Sequence, residues 1–192
     1  MPDEPKNTVS QSGNLAGGHI VGGNLINETT VNIGTISPTG VLTRLLEKLV
    51  REQKADARAQ KIIEELKRFQ EPQEPVPIGL DTKLTNGNRA DVIHFATQAK
   101  ERFVKKLAQE SLFESAQEIH ALVLSRIYSV FCTQISPAIK SGADRMVVDA
   151  LVRAQIIEPI VMELQNTPFG YYDEHVFGMI FFLTGNCYLK WD

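Results

Sequence analysis

From residue 86 onward, apolar residues recur three or four positions apart, which is the spacing of one buried helix face. The chain is therefore predicted to be mainly α, with a helical C-terminal domain over 86–192. Asn88 and Ser141 are expected to cap two of its helices. Pro137 is expected to end or kink its helix, and Pro159 to kink the helix that continues past it. The helices are predicted at about 88–107, 112–135, 141–164 and 173–184.

A long amphipathic pattern precedes that domain. Ser37-Pro38 is a favourable helix start, and one helix is predicted over 37–70. Its apolar residues follow a heptad seam that Glu52 and Asp56 interrupt, which is typical of a coiled coil with a weak centre. Two interpretations are open: the helix packs on its own domain, or it joins an intermolecular bundle, which we favour. The apolar seam residues are Leu42, Leu45, Leu49, Ala59, Ile63 and Leu66.

Three prolines in the stretch 71–79 exclude a regular helix there. Residues 71–85 are therefore interpreted as a stiff, extended linker. A domain boundary at this linker predicts that residues 86–192 fold alone.

The segment 13–36 is rich in glycine and β-branched residues and repeats the tripeptide Gly-Asn-Leu. So many glycines disfavour a helix, so short β-arcs or a hairpin are expected, after a flexible N-terminus over 1–12. Two short strands cannot bury an apolar face alone. Copies of the segment are therefore expected to pair with one another; docking on a partner protein is the alternative. The predicted self-assembly residues are Leu15, Ile20, Leu25, Val31 and Ile33, with Leu42, Leu45, Leu49, Ile63 and Leu66 from the helix.

Composition and charge narrow the class of protein. Hydrophobic residues make up 43% of the 192 residues, and the net charge is −3, so nucleic acid is not an expected partner. The longest unbroken apolar run, 176–183, is too short for a membrane span, and no stable membrane insertion is expected. Cys132 and Cys187 lie in apolar sequence and are expected to be buried thiols of a cytoplasmic protein.

The sequence carries no recognisable catalytic chemistry. It has no phosphate-binding loop and no histidine or cysteine pair at metal-ligand spacing. His120 is interpreted as a helical histidine that is either satisfied in its hydrogen bonds or half-exposed, and Asp173, Glu174 and His175 as the capped start of a helix. Cys187 is interpreted as a small buried hydrophobe. No catalytic residue, cofactor or metal is expected, and the protein is predicted not to be an enzyme.

The C-terminal residues carry a family pattern. The stretch "IIEPIVMEL" precedes "FGMIFFLTGNCYLKWD", which ends the chain. This pattern resembles the C-terminal domains of proteins in bacterial ABC-three component systems, over roughly 86–192. The glycine-rich start also resembles segments of bacterial conflict-system proteins. The resemblance implies a component of a prokaryotic defence system, in which an ABC-type ATPase works with a middle component and a variable third protein. It supplies no catalytic residues.

Tyr188 and Trp191 near the C-terminus are candidate partner-binding residues, because large amphipathic rings are enriched at interfaces. The alternative, favoured for the sole tryptophan, is that they pack on their own core. The function expected is a non-enzymatic, oligomeric scaffold component that couples to the ATPase. Two alternatives stay open: an effector whose N-terminal β segment assembles and perturbs membranes, and a nucleic-acid-binding regulator.

Overall fold

The computed structural model of the chain describes residues 40–76 and 78–192. These residues belong to one compact unit. They form helices and no strands, so the predicted mainly α class is confirmed for this part of the chain; the β segment 13–36 and the N-terminus 1–12 lie outside it. The helices are α1 Val41–Ala55, α2 Glu64–Gln70, α3 Leu80–Asn86, α4 Ile93–Glu110, α5 Glu114–Lys140, α6 over 145–164 and α7 Asp173–Gly185.

Helix α7 is apolar on almost every face, and a helix of that kind has to be buried. It packs most extensively against α4, with α3, α5 and α6 around it. Gly178 makes the close approach to α4 achievable. A Cβ atom at that position would lie 2.5 Å from the carbonyl oxygen of Ala99 and 2.7 Å from the Cβ of Phe103.

Helix α5 runs through the middle of the fold. It contacts α1 and α2 as well as α4, α6 and α7. Among the described helices, it alone is long and apolar enough to cross a membrane by length and composition. It contacts five other helices, and 28% of its most apolar 18-residue window is buried.

Neither Pro137 nor Pro159 ends its helix. A proline ring clashes with the carbonyl group four residues earlier in an α-helix. In both helices that carbonyl lies within a wider π turn, Phe131–Ile135 in α5 and Arg153–Ile157 in α6. The π turn loosens the backbone at the point of the clash, so each helix continues through its proline.

The single helix predicted over 37–70 is wrong, because two helices occupy this stretch. Helix α1 ends where Asp56 adopts a left-handed conformation with φ 47°, which aspartate tolerates better than most residues. The chain then runs without helix until α2 begins at Glu64. In between, the backbone N–H of Ala59 donates to the carbonyl of Leu112, which ties the connection to the α4–α5 turn (2.7 Å).

The heptad-seam residues lie against the chain's own core. Leu42, Leu49 and Leu66 are at most 4% exposed, and Leu45 and Ile63 pack against the same core. This is the arrangement that the alternative interpretation, an amphipathic helix packed on its own domain, expects. Association between copies of the chain stays a prediction; in this structure Leu42, Leu49 and Leu66 are buried within one copy, and Leu45 and Ile63 are partly buried.

Polar contacts fix α1 and α2 on α5. Glu52, which interrupts the heptad seam, accepts hydrogen bonds from the hydroxyl (2.6 Å) and the backbone N–H (3.2 Å) of Ser115 in the first turn of α5. The side chain of Gln117, only 1% exposed, accepts from the N–H of Ile63 (2.7 Å) and donates to the carbonyl of Lys61 (3.2 Å). Each buried polar group therefore has a partner that specifies the docked position.

The linker and boundary predicted at 71–85 need correction, because this stretch is part of the same compact unit. The N–H of Gln73 donates to the carbonyl of Asn186 (3.0 Å), and Glu74 pairs with Lys190 (2.8 Å). The stretch also ends in α3, which the sequence did not predict. Within α3, Leu84 is fully buried.

Two predicted caps are also wrong. Asn88 does not cap α4; it lies in a left-handed conformation (φ 55°) after α3 and before the short 3₁₀ turn Ala90–Val92. Asp144, rather than Ser141, caps α6 by accepting from the N–H of Met146 (2.7 Å). Both helices begin three or more residues later than the predicted caps indicate.

We predict that replacing Leu49 with alanine destabilises the protein by about 2–5 kcal/mol, because the change opens a cavity where α1 packs on the core. Leu49 is 2% exposed. The matched control is Val50→Ala on the same helix, where the side chain is 38% exposed and the expected change is within about 0.5 kcal/mol. Urea unfolding measures both; equal effects would mean that α1 is not docked.

Candidate functional site

A cleft of about 250 Å³ opens between the start of α4, one face of α6, α7 and the C-terminal tail. Three arginines and one aspartate lie among otherwise apolar side chains. We call it the arginine cleft. Its lining residues are Arg89, Val92, Phe95, Arg145, Asp149, Val152, Arg153, Phe177, Ile180, Phe181 and Trp191.

Arg89 is the buried cation of the arginine cleft, with 7% of its surface exposed. Its guanidinium lies over the Trp191 ring at 4.4 Å, and its Nη1 donates to Asp149 (2.5 Å). The Nε atom is buried and has no hydrogen-bond partner among the described residues. An unsatisfied buried donor costs about 1–3 kcal/mol, so Arg89 is held in place at some expense to stability.

Arg145 and Arg153 stand eight residues apart on α6, with Asp149 midway between them. Arg145 forms a bidentate pair with Asp91 (2.6 and 2.8 Å), and this hydrogen bonding lowers the pKa of the Asp91 carboxyl. Arg153 donates to Asp173 (3.1 Å). Because residues four apart share a helix face, α6 presents all three charges to the cleft.

Aromatic side chains form the opposite wall. Phe95 meets Phe177 edge-on at 5.4 Å and Phe181 at 6.0 Å. Despite these contacts, Phe95 remains 40% exposed. The cleft therefore combines aromatic surface with guanidinium groups, an arrangement that suits a ligand with an apolar and a charged end.

The candidate partner-binding residues Tyr188 and Trp191 are not exposed: they are 8% and 6% accessible. Trp191 donates from its indole N–H to the hydroxyl of Thr184 (3.1 Å). Gly87 lies so close that a Cβ there would sit 2.8 Å from the Trp191 carbonyl oxygen. In this conformation both rings pack on their own core, the alternative that the sequence favoured for tryptophan. Trp191 contributes to a binding surface only by lining the cleft.

Tyr188 joins the tail to α2 and α5. Its ring lies 5.1 Å from Phe69 and 5.5 Å from Tyr128, and its hydroxyl donates to the carbonyl of Arg68. The neighbouring Asn186 side chain donates to the carbonyl of Phe69 (2.8 Å). The tail that carries Trp191 is therefore fastened to α2 as well as to α7.

The two cysteines have different surroundings. Cys187 is buried as predicted, but it is more than a small hydrophobe, because the buried Lys83 ammonium donates to its sulfur (2.8 Å). The same ammonium donates to the carbonyl of Thr184 at the end of α7 (2.7 Å). Cys132 is exposed, so its predicted burial is wrong. It lies on the π turn of α5. The apolar side chains of that turn are buried in the core, whereas the thiol is on the exposed side.

A polar cluster surrounds His120, which is fully buried. The Tyr171 hydroxyl donates to Glu110 (2.8 Å) and lies 3.1 Å from Nδ1 of His120, and Nε2 of His120 lies 3.1 Å from Glu110. Of the two interpretations of His120, the structure shows the helical histidine with satisfied hydrogen bonds and not the half-exposed one. Burial, together with the Glu110 carboxylate, raises the pKa of Tyr171 far above its usual value, which keeps the phenol a hydrogen-bond donor.

The start of α7 also matches its prediction. Asp173 and Glu174 lie in the first turn, where the positive end of the helix dipole stabilises carboxylates. The ring of His175 accepts a hydrogen bond from the N–H of Tyr172 (3.1 Å). Among the described residues, no group of three or more His, Cys, Asp or Glu side chains is arranged to hold a metal ion.

Comparison with known families now gives the cleft and tail a setting. A family model for C-terminal domain 9 (CTD9) of the ABC-three component systems matches residues 79–191. The chain belongs to this family. The resemblance seen in the C-terminal sequence is thereby confirmed, and the protein is a component of an ABC-three component system. No curated protein and no solved structure matches the chain.

The match places the arginine cleft and the tail inside the CTD9 domain, whereas α1 and α2 precede it. The sequence analysis missed the cleft, although one signal was present. Arg145, Asp149 and Arg153 recur at four-residue intervals on one predicted helix. Arg89 gave no such signal, because only the folded loop brings it to the same place.

We predict that the stability of the protein falls with decreasing pH below the ordinary glutamate pKa of about 4.3. Hydrogen bonds from His120, Lys106 and Tyr171 outweigh burial and lower the pKa of Glu110. A lowered pKa in the folded state contributes stability above the unfolded pKa, and this contribution is lost as the pH falls through the folded value.

Glu110→Gln should therefore flatten the acid side of the profile of urea midpoint against pH. The control is Glu101→Gln, an exposed position on the same helix, which should leave the profile unchanged. A Glu110→Gln profile as steep as that of the original protein would show that this carboxylate does not supply the acid dependence.

Proposed function

We propose that the protein is a non-enzymatic, oligomeric interaction component of its ABC-three component system in the cytoplasm. In this proposal the segment 13–36 assembles copies of the chain. The CTD9 domain receives other components, the ABC-type ATPase among them. The protein thus couples assembly at one end to partner binding at the other.

The docking of α1 and α2 on α5 is the observation that best supports coupling. Lys48 donates to Glu118 of α5 (2.8 Å), and Glu52 and Gln117 make the buried contacts described above. The chain therefore enters the CTD9 domain through a helix that is fixed on its core. A displacement of α1 therefore acts directly on α5, against which α1 packs.

The buried polar residues support a non-enzymatic role. The two ring nitrogens of the fully buried His120 lie within hydrogen-bond distance of Tyr171 and Glu110. Lys83 is committed to the end of α7 and to Cys187. A catalytic acid, base or nucleophile needs access to a substrate, and these groups serve the core and the tail instead.

We predict that the full chain is an oligomer. The combined changes Leu15→Gln, Leu25→Gln and Ile33→Gln should lower the number of copies in that oligomer. Glutamine removes the apolar face that paired strands would bury, while the described helices are untouched. Light scattering measures the mass, and far-UV circular dichroism checks that the helices persist. Removal of residues 1–12 is the matched control. It should lower the measured mass only by that of the residues removed and leave the number of copies in the oligomer unchanged.

Co-expression with the ATPase and the middle component of the same system tests the other half of the proposal. The triple variant should still co-purify with a component that binds the CTD9 domain, because its lesion lies outside that domain. A monomeric original protein would refute the assembly role. Failure of the original protein to co-purify with any component would refute the coupling role.

A further inference from the structure

The arginine cleft has the features of a binding site that the family assignment does not explain. We propose that it binds a single anionic group carried on an apolar body: the carboxylate end of an aromatic or branched aliphatic chain. Three features of the cleft support this: the charge of its lining, the buried Arg89 and the aromatic wall.

The lining carries an excess of positive charge. Three arginines face one aspartate, so the formal charge is +3 − 1 = +2. Asp91 and Asp173, which pair with Arg145 and Arg153, do not line the cleft. A ligand inside the cleft therefore meets guanidinium groups, each of which already pairs with a carboxylate. Each guanidinium has five N–H donors, so donors remain after these pairs are formed.

Arg89 provides a second, independent observation. It is more than nine-tenths buried, and its Nε has no hydrogen-bond partner among the described residues. The Trp191 ring and Asp149 hold the guanidinium rigidly in the cleft lining. A delocalised, buried cation with incomplete hydrogen bonding gains from any nearby negative charge, and a rigid one loses little side-chain entropy when it binds.

The remaining surface selects the rest of the ligand. Phe95, Phe177 and Phe181 present aromatic faces and edges, and Phe95 keeps 40% of its surface exposed. The volume of about 250 Å³ lies below the roughly 300–1,000 Å³ of sites for drug-sized ligands. It fits one aromatic or branched side chain with its carboxylate. Because Asp149 also lines the cleft, one negative charge is favoured over a polyphosphate.

This chemistry has two sources: the C-terminus of a polypeptide and a free small acid. Calorimetric titration of the full chain distinguishes them. The probes are an acetylated tetrapeptide that ends in phenylalanine, 3-phenylpropanoate, and the amide of each. Trp191 is the sole tryptophan, so its fluorescence reports whether a probe enters the cleft.

We expect the acids to bind. The amides should bind at least about tenfold more weakly, because an amide loses a charge-assisted hydrogen bond. Binding of the peptide acid alone supports a polypeptide terminus, and binding of 3-phenylpropanoate alone supports a small acid. Equal binding of acid and amide, or no binding of either acid, overturns the proposal.

Variants locate the site. Arg153→Gln should weaken acid binding about tenfold. Its matched control is Arg102→Gln, because Arg102 is also an exposed, ion-paired arginine (58% exposed, against 54% for Arg153) but lies outside the cleft. Phe95→Ala removes part of the aromatic wall and decides the question if Arg153→Gln fails to fold. Equal affinities for the cleft variant and Arg102→Gln would place binding elsewhere and overturn the proposal.

Discussion

The burial of α5 from two sides is the constraint on which the rest of the structure depends. Helices α1 and α2 cover one side, and α4, α6 and α7 cover the other. Three polar side chains are buried in its first half, and each needs a partner. Glu52 supplies one for Ser115, the connection between α1 and α2 supplies one for Gln117, and Tyr171 supplies one for His120. These hydrogen bonds set where each covering helix docks.

The C-terminal tail connects these packed helices to the arginine cleft. Asn186 and Tyr188 bind α2 and its connection, and a few residues later Trp191 stacks on Arg89. The same tail thus contacts the helices that precede the CTD9 domain and forms part of a cleft within it. Packed elements therefore connect the candidate binding site to α1 and α2.

Sequence periodicity was sufficient for the long helices, because α4, α5, α6 and α7 each bury a face over at least three turns. It was insufficient where a single tertiary contact decides the local structure. The helix break at Asp56 is followed by a tertiary hydrogen bond from Ala59 to Leu112. Helix α3 is too short to show a periodic pattern of apolar residues. Arg89 reaches the cleft from a loop, and the approach of Gly87 to Trp191 spans about half the chain. Heptad spacing alone could not distinguish a partner helix in another copy from α5 in the same copy.

The central claim is that α1 and α2, which precede the CTD9 domain, share one core with it. Native-state amide hydrogen exchange of the full chain in low concentrations of denaturant tests it most directly. If the claim holds, the helical amides of α1 and α2 become exposed in the same cooperative opening as those of α5, with the same dependence on denaturant. Exchange of α1 and α2 through a separate opening of lower free energy, while α5 stays protected, would contradict it.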